Sequence, residues 1–164
     1  MAEVYNSSVG AHEDAQKGMY LTFFIGNEVF GIEIRHVMEI VGIQAITALP
    51  EMPEYIKGII NLRGNIIPLL DVRLRFGKEP REYDDRTCVI VIDISGTRIG
   101  LIVDSVSEVI TIPDEDITEL PKMGLGSGNR YLKKVGKVGD EVKLLIDCEK
   151  FLTEDELVDL NNAL

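Results

Sequence analysis

Four times in this chain an apolar run is followed by a two-residue turn signal and then by a second apolar run. No other feature limits the possible folds as strongly. The four are YLTFFI, Gly26-Asn27, EVFGIEI; IINLR, Gly64-Asn65, IIPLLDV; TCVIVIDI, Ser95-Gly96, TRIGLIV; and YLKKVGKV, Gly139-Asp140, EVKLLID. Gly-Asn and Gly-Asp supply the positive φ that a type II′ hairpin turn needs at its first central position, and Ser-Gly is a weaker form of the same signal. Four hairpins in 164 residues make the chain mostly β. Several strands are apolar on both faces: Cys88, Ile90, Ile92 and Ile94 alternate with Val89 and Val91, and Leu101, Ile102 and Val103 run on unbroken. A sheet with one wet face shows clean alternation, so these strands are expected between two layers or where two small barrels meet. SVSEVITI (105–112) reads as a further strand ended by Pro113.

Helical signals are minor. HVMEIV (36–41) reads as a short turn leaving the first hairpin, and 53–57 as one helical turn with Pro53 near its start. VRLRF (72–76) stops at Gly77, a plausible C-cap. Thr153 and Glu156 have capping-box spacing ahead of Leu157, Leu160 and Leu164, which share one helical face. Residues 1–18 are polar, charged and aperiodic, and are expected to be a flexible tail before a folded domain over 19–164. With neither a basic start nor an apolar run, that segment does not read as a signal peptide. No stretch approaches the roughly 20 apolar residues of a membrane span. The chain therefore reads as cytoplasmic.

Residue patterns that carry reaction chemistry are sparse. Seventeen basic and 28 acidic side chains leave a formal charge of −11, a field that repels phosphate backbones and anionic lipid. GLGSGN (124–129) lacks the Lys-Ser/Thr of a phosphate loop, and Asn129 stands where a dinucleotide fingerprint needs its third glycine, so a surface loop is the reading. His12 and His36 lie far in sequence from Cys88 and Cys148, so no metal or redox set has suitable spacing, and two buried free thiols are expected. Asp114-Glu115-Asp116 lacks the pattern of a calcium loop and reads as solvated loop or a first helical turn. No catalytic residue, metal or cofactor is assigned. Arg63, at the tip of a hairpin between very apolar strands, is either an ordinary solvated turn residue or a charged anchor for a protein partner.

The run GIINLRGNIIPLLDVRLRFG (58–77) resembles the signature segment of the CheW family. Three further blocks are similar to that family in the same order: 20–41, 86–112 and 131–157. The resemblance spans about residues 19–160 and implies two intertwined five-stranded SH3-like β-barrels with a few short helices and a C-terminal helix. It also implies an adaptor without catalysis, monomeric when free, that couples methyl-accepting chemoreceptors to the regulatory domain of the histidine kinase CheA. The adaptor would be recruited to membrane-associated receptor arrays without entering the membrane. The receptor-facing groove carries over onto Ile34, Val37, Glu39, Gly58, Asn61, Leu62, Arg63, Gly100, Ile102 and Val103. In that reading Val37 and the apolar strand positions bury receptor side chains, while Glu39 and Arg63 fix orientation by charge. Kinase contacts are expected at the barrel ends, with no residues assigned.

Three rival readings fit the residues less well. A fragment of CheA, or of the receiver-bearing relative CheV, is disfavoured by the chain's length. A β-barrel nucleic-acid binder needs a basic stripe and exposed aromatics, which an acidic chain with 6% aromatic residues does not offer. A small carboxylate hydrolase lacks a convincing pair of acids.

Overall fold

In a computed structural model, residues 16–120 and 130–164 are described. The expected tail up to residue 15, His12 included, and the glycine-rich loop 124–129 lie outside the described residues. Among the described residues eleven strands form two antiparallel-rich sheets. The first has the order β8(Ser105–Thr111), β1(Met19–Ile25), β2(Glu28–Glu33), β11(Glu141–Ile146), β10(Leu132–Val138), β9(Ile117–Glu119). The second has the order β3(Val37–Gly42), β6(Cys88–Ile94), β7(Thr97–Val103), β5(Asn65–Asp71), β4(Ile56–Leu62). The second sheet has the five strands expected, and the first gains a sixth from the three-residue β9.

One rule builds both sheets. Each contains two hairpins whose second strands pair in parallel: β2 with β11 through Phe30↔Leu144, and β5 with β7 through Leu69↔Gly100. The outer strands are then linked by the chain itself. After β3 the chain reaches Thr47, whose N–H and C=O both bond Ile59 of β4, at 2.9 and 2.8 Å. After β8 a 3-10 turn, Asp114–Asp116, leads into β9. Both sheets thereby curl into small barrels of SH3-like type. Because the first barrel uses both ends of the chain and the second uses only its middle, the two are intertwined. The chain crosses from first to second through a 3-10 turn, Ile34–His36, and returns at Asp104.

Every expected hairpin is present, with a correction in the turns. Gly26 (φ 62°) and Gly139 (φ 61°) open type II′ turns as expected. The second turn is Arg63-Gly64 (φ 52° and 87°), one residue earlier than expected, and Ser95-Gly96 (φ 51° and 84°) has the same form. Two positive φ values define type I′. Each of these turns is locked by an acceptor two residues before it: Asn61 Oδ1 takes the Gly64 N–H at 2.8 Å, and Asp93 Oδ1 takes the Gly96 N–H at 2.9 Å. Of residues 36–41, expected to be a short turn, all but His36 lie in β3, where Val37, Glu39 and Val41 alternate with outward Met38, Ile40 and Gly42. The expected helical turn at 53–57 is a bend closed by the Ile56 N–H on the Pro53 carbonyl, and β4 begins at Ile56.

The two-faced strands lie where expected. Ile90, Ile92, Ile99, Leu101 and Val103 face the seam between the barrels, opposite Leu21, Phe23, Phe30 and Ile32. Their neighbours Val89, Val91 and Ile102 fill the second barrel with Ile60, Leu62, Ile67 and Leu69. Among the described residues the first barrel encloses Tyr20, Ile112 and Leu145 as buried apolar side chains, with Ile110, Ile117 and Val138 partly buried against them. Cys148 is buried in the seam, where burial and the carboxylates of Asp147, Glu33 and Glu149 push its thiol up to about 12; Cys88 is half-buried. No helix among the described residues is long and apolar enough to cross a membrane.

Among the described residues two helices complete the fold. α1(Val72–Arg75) is capped by Asp71, whose Oδ1 takes the Leu74 N–H at 3.2 Å and whose Oδ2 takes the Tyr83 hydroxyl at 2.7 Å. α2(Glu154–Ala163) starts in the expected Thr153/Glu156 capping box and buries Leu160, while Leu164 is exposed rather than packed. Arg75 holds α2 in place. Its side chain is 6% exposed, donates to the Phe151 carbonyl at 2.9 Å and to Glu156 at 2.8 Å, and lies over the Tyr55 ring at 4.0 Å. Replacing it leaves the Phe151 carbonyl without its donor and Glu156 with the Thr153 N–H alone, each lost bond to a buried group costing about 1–3 kcal/mol. Arg75→Met is therefore expected to lower unfolding stability by about 2–4 kcal/mol, measured by urea denaturation, with faster proteolysis around Thr153.

Candidate functional site

The parallel pairing of β5 and β7 puts the Arg63-Gly64 and Ser95-Gly96 turns at the same end of the second barrel. β3 runs antiparallel to β6 and starts at that end, with Val37 opposite Ile92 and Glu39 opposite Val91. Glu39, Arg63, Asp93 and Arg98 thus share one rim. β3 and β4 are the outermost strands of their sheet, yet Arg63 Nη2 donates to Glu39 Oε1, so this ion pair spans the place where the curled sheet meets itself. The hydrogen bond from Arg63 holds the Glu39 carboxyl below the usual range against the opposing effect of desolvation, and the charges of Arg63 and Arg98 add to the lowering.

Arg63 has φ 52°, a left-handed conformation that costs a residue other than glycine about 1–2 kcal/mol. Glycine or asparagine would occupy that turn position more cheaply. An arginine kept there at 66% exposure is explained by what its side chain does, not by the turn.

Of the other candidates, Ile34 and Val37 are half-buried against the seam, and Asn61 is exposed with its amide oxygen committed to Gly64. Leu62, Ile102 and Val103 are 7%, 2% and 0% exposed. Their side chains fill the barrel interior or the seam. Gly58 and Gly100 are buried as well. A Cβ on Gly58, at φ 142°, would lie 2.1 Å from the Thr47 carbonyl that closes the barrel. A Cβ on Gly100 would lie 2.5 Å from Leu69 Cδ2 and 2.7 Å from Val89 Cγ1. Both glycines shape the site from beneath.

The structure adds residues that sequence reading missed. Arg98 joins the rim only through β6–β7 pairing, where it stands opposite Asp93. Met38 and Ile40 form an exposed apolar pair beside Val37, and their alternation was visible in VMEIVG had it been read as a strand. Ile66, opposite Asn61 on the β4–β5 hairpin, is exposed too. His36 lies in the crossover turn, and Asp114, Glu115 and Asp116 form a 3-10 turn. Among the described residues no group of three or more His, Cys, Asp or Glu side chains is placed to hold a metal ion.

A pair of fused barrels that presents exposed apolar side chains and an ion pair beside them has the build of a scaffold for other proteins. The chain belongs to the CheW family: the profile described as CheW-like domain matches residues 19–156. Chemotaxis protein CheW of Klebsiella aerogenes is 36% identical over 144 residues, covering 88% of this chain and 87% of the relative. Chemotaxis protein CheW of Treponema pallidum is 32% identical over 146 residues, covering 87% and 86%. Among solved structures, the scaffolding protein TtCheW from Thermoanaerobacter tengcongensis superposes with a TM-score of 0.76 at 35% identity, covering 82% of this chain and 91% of that one.

Two outcomes separate packing from surface roles. Gly100→Ala overpacks the second barrel and is expected to lower stability by about 1–3 kcal/mol, read from the thermal midpoint. The Glu39 carboxyl is expected to titrate below the ordinary glutamate value of about 4.3, followed by carboxyl-carbon NMR, and to return to it in Arg63→Ala. Because the folded value is the lower one, the pair's contribution is complete above the ordinary value and is lost as pH falls through the folded one.

Proposed function

We propose that this chain is a chemotaxis adaptor that couples the signalling tips of methyl-accepting chemoreceptors to the regulatory domain of a CheA-type histidine kinase. It acts within receptor–kinase arrays at the cytoplasmic side of the membrane and performs no chemistry itself. The observation that carries the reading is the Arg63–Glu39 pair, an exposed arginine in a costly turn conformation, aimed across the barrel closure of a CheW-type fold. Chemotaxis is named in the curated relatives and scaffolding in the solved one.

In this reading a receptor helix lies along the flank formed by Ile34, Val37, Met38 and Ile40. Apolar side chains there supply most of the affinity, while the rim charges select orientation and register. Arg63 is committed to Glu39 in the free protein, so it meets a receptor carboxylate already oriented, which lowers the entropy lost on binding. Neutral pH keeps Glu39 ionised and the pair intact. The kinase engages barrel ends other than the rim that carries Arg63, leaving that rim and the flank free, so one adaptor holds both partners at once.

The test is a calorimetric titration against a purified receptor signalling tip and, separately, a CheA regulatory domain. Wild type is expected to bind both. Arg63→Ala, removing an exposed side chain, is expected to leave stability within about 0.5 kcal/mol while weakening the receptor arm at least tenfold, an effect of about 1.4 kcal/mol. Absence of binding to both partners at about 1 mM, an association free energy weaker than about −4 kcal/mol, would overturn the reading.

A further inference from the structure

The chain returns from the second barrel to the first at a single residue, Asp104, between the end of β7 and the start of β8. Its side chain is 9% exposed, and three segments converge on its two oxygens. Gly26 of the β1–β2 turn donates its N–H to Oδ2 at 2.6 Å. Arg73 of α1 straddles the carboxylate with Nε, at 3.0 Å from Oδ1 and 3.2 Å from Oδ2. Arg81, from the segment between β5 and β6, donates Nη1 to Oδ2 at 3.1 Å. Gly26 belongs to the first barrel, whereas Arg73 and Arg81 belong to the half of the chain that builds the second. Beside this cluster, Lys78 and Glu28 make a second ion pair between the same two parts at 2.9 Å.

We infer that Asp104 is a positioning residue, the pin that sets the angle between the two barrels and, through it, the width of the flank on which the receptor is proposed to lie. The role in binding rests on the receptor reading above; the pin itself does not. The physical argument is one of geometry. The apolar seam resists separation of the barrels but is poorly directional, since sliding one apolar face over another exchanges similar contacts. Hydrogen bonds to a carboxylate are directional and shortened by charge, and a guanidinium fork fixes a plane. A nearly buried carboxylate at the crossover, held from both barrels, therefore fixes what the seam leaves free. Ile34 and Val37 at the other crossover pack against that seam, so a change of angle at Asp104 displaces the apolar flank without disturbing the Arg63–Glu39 pair, which lies wholly within the second barrel.

The test measures the inter-barrel distance directly. Nitroxides are attached at Lys137→Cys in the first barrel and Arg86→Cys in the second, both exposed positions, in a Cys88→Ala background that leaves buried Cys148 unlabelled. Pulsed dipolar spectroscopy is expected to give one narrow distance distribution for the otherwise unchanged protein. Asp104→Asn should broaden it and add a longer-distance population, and receptor-tip affinity should fall by about tenfold as preorganisation is lost. Gly100→Ala, destabilised within one barrel, and Arg63→Ala, altered only at the rim, are both expected to keep the narrow distribution. Should Asp104→Asn fail to fold, Arg81→Ala removes one half-exposed partner and is expected to broaden the distribution less. A narrow distribution in the folded variant, whatever its affinity, would overturn the pin. Broadening in a protein whose wild type binds no receptor tip would uphold the pin and overturn the receptor reading.

Discussion

The apolar seam between the two sheets is the contact around which the rest of the molecule is organised. Fully burying a side chain such as Leu, Ile or Phe contributes about 1.5–3 kcal/mol, and the seam collects such residues from both barrels and from α2. The first barrel, with three buried apolar side chains of its own inside among the described residues, has too little interior to stand alone. It is stable because its outer face is the other barrel's neighbour. The ring cluster of Phe30, Phe76, Tyr131 and Phe151, with centroids 5.2–6.0 Å apart, extends the seam toward the C-terminal helix. Arg75 closes that end, its buried charge paired rather than stranded.

What could be read from the amino acids was what depends on near neighbours. Turn signals located all four hairpins, alternation on two faces located the seam strands, and capping residues located α1 and α2. The turn at 63–64 was misplaced by one residue because Gly64-Asn65 is a better dipeptide signal than Arg63-Gly64. The actual turn is supported by Asn61, whose side chain substitutes for a more favourable residue at position 63. β3 was missed because its outward positions are Met38 and Ile40, so it lacks the polar face that marks a half-exposed strand.

The candidate site was legible only in part, for a related reason. Arg63 stood out at the tip of an apolar hairpin, and Val37 and Glu39 came from a family resemblance, but nothing local says that a residue on β3 meets a turn between β4 and β5. Parallel pairing of β5 with β7 places them together, and parallel pairing leaves no short-range signal. The same limit applies to Leu62, Ile102 and Val103, whose burial has no local signal. A strand apolar on both faces does not reveal which face is filled by its own barrel and which is free, and here both are filled.

The interleaved path of the chain also has a consequence in time. Every strand of the second barrel lies between Val37 and Val103, so this unit can close as soon as that stretch is available. The first barrel cannot: β2 waits for β11, more than a hundred residues further on, to supply its parallel partner. Once the middle barrel has formed, it brings the two chain ends near each other and shortens the loop that must be closed. During synthesis on a ribosome the N-terminal hairpin is therefore left with an unpaired edge until the final hairpin emerges, and unpaired edges invite association between chains. The nested barrel acts as an internal template, and the order of synthesis makes the outer barrel the last part of the molecule to become native.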